Sequence, residues 1–146
     1  MAVELFEEHS AMLEAAEDFL AAVKHTPRIP PDQLSRKRVR LSSLIRQHRT
    51  TEEEFIFAPL ARNGGFANMP HLETILEEMM REKVKYSEHI RTWTLQAIER
   101  DWDGYVAACE ERILAFKRVI IEEEARVYQT VLGLNTSQMP RRERSF

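Results

Sequence analysis

The amino-acid sequence predicts an all-α protein, an antiparallel up-down-up-down four-helix bundle, and three observations support this fold class. Apolar residues recur at three- and four-residue steps in four separate segments, which is the spacing of amphipathic helices. Proline and glycine residues separate the segments and leave only short connections. No segment has the strict alternation of a β-strand. Four long helices with short connections pack most naturally as an antiparallel bundle.

The first predicted helix covers about residues 3–25, and its apolar stripe includes His9. A Thr-Pro pair at residues 26–27 ends this helix, and further prolines exclude helical structure from the following loop. The second predicted helix begins at about Asp32, which we expect to be its N-cap, and it ends at Arg62. An Asn-Gly-Gly sequence follows Arg62 and stops the helix.

The third predicted helix begins near Pro70 and continues to about Arg100. A turn at residues 101–104 separates it from the fourth predicted helix, which covers about residues 105–132. Gly133 follows the last apolar residues of the fourth helix and is expected to close it, because glycine readily takes the backbone conformation that ends a helix.

Length and composition indicate one domain over residues 1–134, followed by a flexible, solvent-exposed C-terminal tail over residues 135–146. The net charge of −3 and the lack of a basic stripe argue against nucleic-acid binding. A single cysteine, Cys109, excludes an intrachain disulfide. With no signal peptide and no run of about 18 apolar residues, we expect no membrane span and a cytoplasmic protein. These features specify neither an oligomeric state nor a substrate.

A histidine and a glutamate stand on the apolar face of the second predicted helix. His48 and Glu52 are four residues apart, so on a helix they lie one above the other. Apolar residues recur around them at helical spacing: Leu41, Leu44, Ile45, Phe55 and Leu60. Buried polar side chains need hydrogen bonds, charge pairing or a metal, because leaving them unpaired costs several kcal/mol. This pair is therefore the first indication of a functional site.

Polar groups interrupt the apolar stripes of all four predicted helices at nearly the same height. In an up-down-up-down bundle, these groups fall within about 12 Å along the bundle axis. They are His9, the pair His48 and Glu52, Lys83, and Glu123. One buried polar residue is compatible with ordinary packing, whereas several that face one another indicate a site. Facing side chains in bundle cores also build metal sites.

These residues and their neighbours resemble the hemerythrin-like (HHE cation-binding) family over about residues 3–133. The likeness is carried by Glu8-His9, by His48-x-x-x-Glu52-Glu53 with Phe57 and Pro59, and by Glu123-Glu124 with Tyr128. The resemblance implies a non-haem di-iron centre held by a histidine from each helix and by bridging carboxylates from helices two and four. It also implies that the centre binds O₂, NO or peroxide, or serves as an iron or redox sensor.

The sequence departs from the family pattern at two metal-ligand positions. Val119 stands where the family has its fourth-helix histidine, and Glu82-Lys83 stands where the family has a third-helix Glu-His pair. By the resemblance, the histidines of helices one and two together with Glu123 would serve one iron. The two missing histidines would have served the other iron.

We therefore hypothesise a mononuclear metal site formed by His9, His48 and Glu123, with Glu52 as a further ligand. Lys83 is expected to be an internal cation that replaces part of the charge of the missing metal. Two histidines and a carboxylate with open positions suit Fe(II) and O₂ chemistry, and Zn²⁺ or Mn²⁺ would also fit.

Two alternatives to this hypothesis stay open. In the first, Glu82 rather than Lys83 faces the site, and its carboxylate allows two metals to bind. In the second, no metal binds, and His9 and His48 form hydrogen bonds with the two buried glutamates. Lys83 would then complete a buried salt-bridge network.

Three functional classes agree with these features. The first is a non-haem iron oxidase or oxygenase that consumes O₂ or peroxide on a small substrate, with Lys83, Tyr86 and Tyr128 as candidate catalytic residues. The tyrosines are expected one turn from the site, where they either orient ligands or fill the core. The second class is a module that senses a metal or a diatomic gas. The third is a degenerate, metal-free bundle that serves as an interaction module.

Overall fold

A computed structural model describes residues 2–142 of the chain. Every regular element in that range is helical, and the range contains no β-strand. The prediction of an all-α protein is therefore confirmed. Within the same range, no helix combines the length and the apolar character that are needed to cross a bilayer.

The first two predicted helices are present, with one difference at the start of the second. Helix α1 covers Ala2–Lys24, and helix α2 covers Pro31–Glu52. The predicted N-cap at Asp32 is wrong, because α2 begins one residue earlier and Pro30 is the N-cap residue. Pro31 occupies the first helical position, and proline suits that position because the N–H that it lacks would have no partner there. The π-helical turn Glu53–Phe57 and the short helix α3 (Ala58–Arg62) extend the same helical stretch.

The third predicted helix is divided into two. A 3₁₀ turn at Pro70–Leu72 leads into helix α4 (Glu73–Thr92), and helix α5 (Leu95–Arg100) follows after a break. The break occurs because Thr94 has an extended backbone, and its side chain accepts a hydrogen bond from Ala97 N at 3.2 Å. Thr94 is therefore an N-cap, and helical periodicity alone did not predict this interruption.

The fourth predicted helix begins three residues early and contains a second π-helical turn. Helix α6 covers Trp102–Glu122, because the side chain of Asp101 accepts a hydrogen bond from Gly104 N at 3.0 Å and caps the helix. The predicted turn at residues 101–104 is thus a cap and a first helical turn. The π-helical turn Glu123–Tyr128 and helix α7 (Gln129–Val131) complete this stretch.

Two clusters of buried apolar side chains fill the interior, one on each side of a polar layer. The first cluster includes Met12, Ile45 and Ile120, and the second includes Leu5, Ile56 and Val127. Four polar residues are buried as well: His9, His48, Glu52 and Glu123. Along the chain, each of them lies between a residue of the first cluster and a residue of the second. Three helical stretches therefore pass from one apolar cluster to the other through a polar layer.

Side-chain contacts connect each of the four helical stretches to at least two others. Helix α1 packs on α2 and α6, and α4 packs on α6. The bonds that link these stretches are Lys37–Asp18, Lys117–Glu17, Arg112–Glu82 and Ser42–Tyr86. The polar layer is thus surrounded by packed helices.

The C-terminal segment returns to the helices. It forms a 3₁₀ turn at Thr136–Gln138, which is capped by the Asn135 side chain. The side chain of Arg142 is only 14% exposed and contacts Glu124. The predicted solvent exposure of this tail is therefore wrong for Arg142. Residues 143–146 of the predicted tail lie outside the described residues.

Candidate metal centre

Four buried side chains converge in the polar layer: His9, His48, Glu52 and Glu123. One nitrogen or oxygen atom from each of them lies within 4.8 Å of the others. Their side chains belong to α1, to α2 and to the start of the second π-helical turn, and no residue is more than 5% exposed. All four residues were predicted as metal ligands, and the fold brings them together.

A π-helical turn lies at the site on each of the two glutamate-bearing stretches. The first turn begins at Glu53, directly after Glu52, and the second begins at Glu123. A π-turn accommodates one more residue than an α-turn, and such turns are frequent at functional sites. In the second turn the adjacent residues Glu123 and Glu124 are both buried, at 5% and 3% exposure. The widened turn thus lets two successive carboxylates contact the interior.

The two histidines have the same orientation. His9 Nδ1 lies 2.7 Å from Glu124 Oε2, and His48 Nδ1 lies 2.9 Å from Glu8 Oε1. Both Nε2 atoms face the cluster, because His9 Nε2 is 3.0 Å from Glu123 Oε1 and His48 Nε2 is 3.1 Å from Glu52 Oε2. A carboxylate that accepts the Nδ1 proton leaves Nε2 as the basic nitrogen, which is the usual support of a metal-bound histidine.

The supporting carboxylates are themselves held in place. Arg142 donates to both oxygens of Glu124, at 3.0 and 2.9 Å, and also to Ser10 Oγ and the Phe6 carbonyl. Glu8 accepts a hydrogen bond of 2.8 Å from the Thr51 hydroxyl. Each histidine is therefore oriented by a carboxylate, and that carboxylate is held in turn by a further residue.

Tyr128 completes the polar layer. Its hydroxyl donates to Glu52 Oε2 and lies 3.1 Å from His48 Nε2 and 3.4 Å from His9 Nε2. Its ring stacks on His9 with the ring centroids 5.1 Å apart. Burial, together with Glu123 and Glu52, raises the pKa of Tyr128 far above its usual range. The hydroxyl therefore stays protonated and acts as a hydrogen-bond donor.

Burial and the neighbouring carboxylates shift the pKa values of the residues in the cluster. Burial lowers the pKa of His9, but its hydrogen bonds to Glu123 and Glu124 outweigh this effect and raise it to about 9. Burial and the neighbouring charge of Glu52 raise the pKa of Glu123. Burial opposes ionisation of Glu52, but hydrogen bonds with His48, Glu123 and Tyr128 lower its pKa. His9 therefore holds its proton more strongly than a free imidazole because of its carboxylate partners, and Glu123 holds its proton more strongly than a free carboxyl chiefly because it is buried.

Three other predicted site residues are not among the four converging side chains, although they line a cavity that the cluster also lines. Lys83 has an exposed side chain, and its Nζ lies 5.7 Å from the ring centroid of Phe57. Glu82 forms an ion pair with Arg112 at 3.0 Å, and the Tyr86 hydroxyl bonds to Ser42 Oγ at 2.6 Å. The prediction of Lys83 as an internal cation is wrong, since an exposed ammonium is neutralised by solvent rather than by Glu52 and Glu123. A cation that does pair with a carboxylate of the polar layer is Arg142, which is 14% exposed and contacts Glu124.

Sequence reasoning missed Glu8, Glu124, Thr51 and Arg142. Glu8 and Glu124 are each adjacent to a predicted ligand, and that adjacency was the available signal. On a regular helix only Glu123 is in phase with the apolar stripe, so periodicity did not predict that Glu124, in the π-turn, is buried as well. Nothing in the local sequence around Arg142 indicates a buried partner 18 residues away.

An apolar cavity of about 90 Å³ adjoins the cluster. Its apolar walls are formed by Met12, Ile45, Met79, Phe116, Val119 and Ile120. Lys83 also lines this cavity. The space beside the four candidate ligands is therefore open and largely apolar.

No family model matches this sequence, and no curated protein or solved structure shows significant similarity to it. The interpretation of the site therefore depends on its own residues and geometry.

Proposed function

We propose that this protein binds a single divalent metal ion, with iron as the first candidate, and acts in redox chemistry linked to O₂ or peroxide. The ligands would be Nε2 of His9, Nε2 of His48, and the carboxylates of Glu52 and Glu123. The observation that carries this proposal is the shared orientation of the histidines. Each Nδ1 is bonded to a carboxylate, and each Nε2 faces a buried glutamate. Two histidines and carboxylate oxygens with open positions suit non-haem Fe(II).

The proposal includes a hemerythrin-like antiparallel four-helix bundle as the scaffold. The order of the contacts supports it, since Glu8 near the start of α1 contacts Thr51 near the end of α2. Asp18, farther along α1, contacts Lys37 near the start of α2. The two helices therefore run in opposite directions, as the bundle requires.

The charge of the site favours a metal over an empty network. Glu8, Glu52, Glu123 and Glu124 bring four carboxylates to the polar layer. Without a metal, Arg142 and a protonated His9 supply two positive charges. Buried charges are costly unless they are paired. A divalent cation would neutralise the excess at the place where His9 and Glu123 otherwise retain protons.

The surroundings of the cluster support one metal rather than two. A second metal would lie beside Glu52 and Glu123, where the cavity wall is formed by Val119 and other apolar side chains. Glu82, the alternative carboxylate ligand, is paired with Arg112 at 3.0 Å. A second metal would therefore find few ligands on this side.

A metal-free interaction or sensing module is the second candidate function. It is favoured by the Tyr128 hydroxyl, which contacts Glu52 and lies within 3.4 Å of both Nε2 atoms. Those contacts satisfy the polar groups without a metal. Metal binding would require the hydroxyl to give up its place between the histidines.

The deciding experiment is metal analysis of tag-free protein that has been purified anaerobically and reconstituted with Fe(II). We expect a single iron per chain, which is lost in His48→Ala. His71→Ala is the matched control, because His71 is exposed and outside the cluster. Two irons per chain would contradict the single-metal proposal. A stably helical protein without bound metal would favour the metal-free module.

A further inference from the structure

The cavity beside the cluster has a buried end and an accessible end. His9, Glu52 and Glu123, which line it, are at most 5% exposed. Arg49 is half-buried and Lys83 is exposed, and both line the same cavity. A small molecule would therefore enter past these two cations and reach the candidate metal ligands at the far end.

The two cations at the accessible end are not neutralised by a neighbouring carboxylate. Among the ion pairs of residues 2–142, none includes Arg49 or Lys83. The third cation of the lining, Arg112, differs because Glu82 lies 3.0 Å from it. The accessible end thus carries two positive charges, and the interior combines apolar walls with the carboxylates of Glu52 and Glu123.

We infer that this cavity binds a small aliphatic monocarboxylate. The anionic group would lie against Arg49 and Lys83, and the aliphatic chain would fill the space between Met79, Phe116 and Val119. A single water needs about 10–15 Å³ and a cavity of about 150 Å³ holds benzene. A cavity of about 90 Å³ therefore fits a body of about three to five carbon atoms.

This inference rests on the proposed metal site, because the ligand would lie against its four residues. Without a metal, the carboxylates of Glu52 and Glu123 repel an anion that enters the cavity. A bound divalent cation removes that repulsion, so anion binding and metal binding should reinforce each other. The ligand would thus be a substrate or an effector of the metal centre.

The test uses fluorine NMR with trifluorobutyrate as the probe and trifluorobutanol as its neutral counterpart. Both are titrated into metal-loaded protein and into protein treated with a chelator. The variants are Arg49→Gln, Lys83→Gln and the double variant, which remove the charge and keep a polar, unbranched side chain. Lys85→Gln is the control, because Lys85 is exposed on the same helix and does not line the cavity. Val119→Phe is added to fill the apolar space.

We expect the acid to bind more tightly than the alcohol, and the double variant to weaken acid binding about tenfold, as two partly screened charges would. The Lys85→Gln control should bind like the natural protein, and Val119→Phe should lose both ligands. Equal binding of acid and alcohol, or an equal effect of Lys85→Gln, would overturn the inference. Metal content is measured on every sample, so a metal-loaded natural protein that does not bind the acid refutes the pocket alone. Protein without metal refutes the proposed function instead.

Discussion

Arg142 connects the C-terminal segment to the candidate metal centre, and replacing it by glutamine tests that connection. Its guanidinium donates to both oxygens of Glu124, and Glu124 accepts from His9 Nδ1 at 2.7 Å. Arg142→Gln removes the charge and the paired geometry. The carboxylate of Glu124 then stays buried with His9 as its main partner.

The expected loss of stability follows from the burial of this pair. The side chains of Arg142 and Glu124 are 14% and 3% exposed. Removing one partner of a buried ion pair costs about 3–5 kcal/mol. Because Arg142 is partly exposed and His9 still bonds to Glu124, we expect about 2–3 kcal/mol. For a domain of this size, that loss corresponds to a fall in Tm of roughly 6–12 °C.

The assay is thermal unfolding followed by circular dichroism, together with metal titration. Arg141→Gln is the matched control, because Arg141 is exposed and forms no ion pair within residues 2–142. Arg142 acts on His9 only through Glu124, so Arg142→Gln should weaken metal affinity by less than the roughly 10–100-fold expected for removing the partner of a ligand histidine. Equal Tm values for Arg142→Gln and Arg141→Gln would refute the reasoning that the C-terminal segment stabilises the site.

Two further predictions concern buried groups away from the centre. Burial, with Arg38 and Arg112, lowers the pKa of His89 from 6.5 to about 4, so the unfolded chain binds this proton first as the pH falls. The free energy of unfolding should therefore decrease by about 2 kcal/mol as the pH falls from 6.5 to about 4, after allowance for the partial exposure of His89. Urea titrations should show a weaker pH dependence for His89→Gln, and an unchanged dependence would contradict this assignment. Burial also raises the pKa of the Cys109 thiol to about 11. Native protein should thus react with Ellman's reagent at least about tenfold more slowly than urea-unfolded protein, and comparable rates would contradict its inertness.

Helical periodicity alone predicted much of the candidate centre. His48 and Glu52 belong to one helix, so their four-residue spacing determined that they share a face. His9 and Glu123 required a bundle topology as well as periodicity, and they do lie in the same buried layer. The all-α class could also be predicted from periodicity, because the spacing of apolar residues along the chain is local and does not depend on how the helices pack.

The tertiary structure decided what surrounds those four residues. The widened turn at Glu123 buries Glu124 as well, and the fold then brings Arg142 back to neutralise it. Lys83, one turn from residues that do face the interior, lies on an exposed part of α4 instead. These outcomes depend on contacts between residues far apart in the chain, such as His9 and Glu124. Local spacing determines which side chains share a face, whereas long-range packing determines which charge lies beside them.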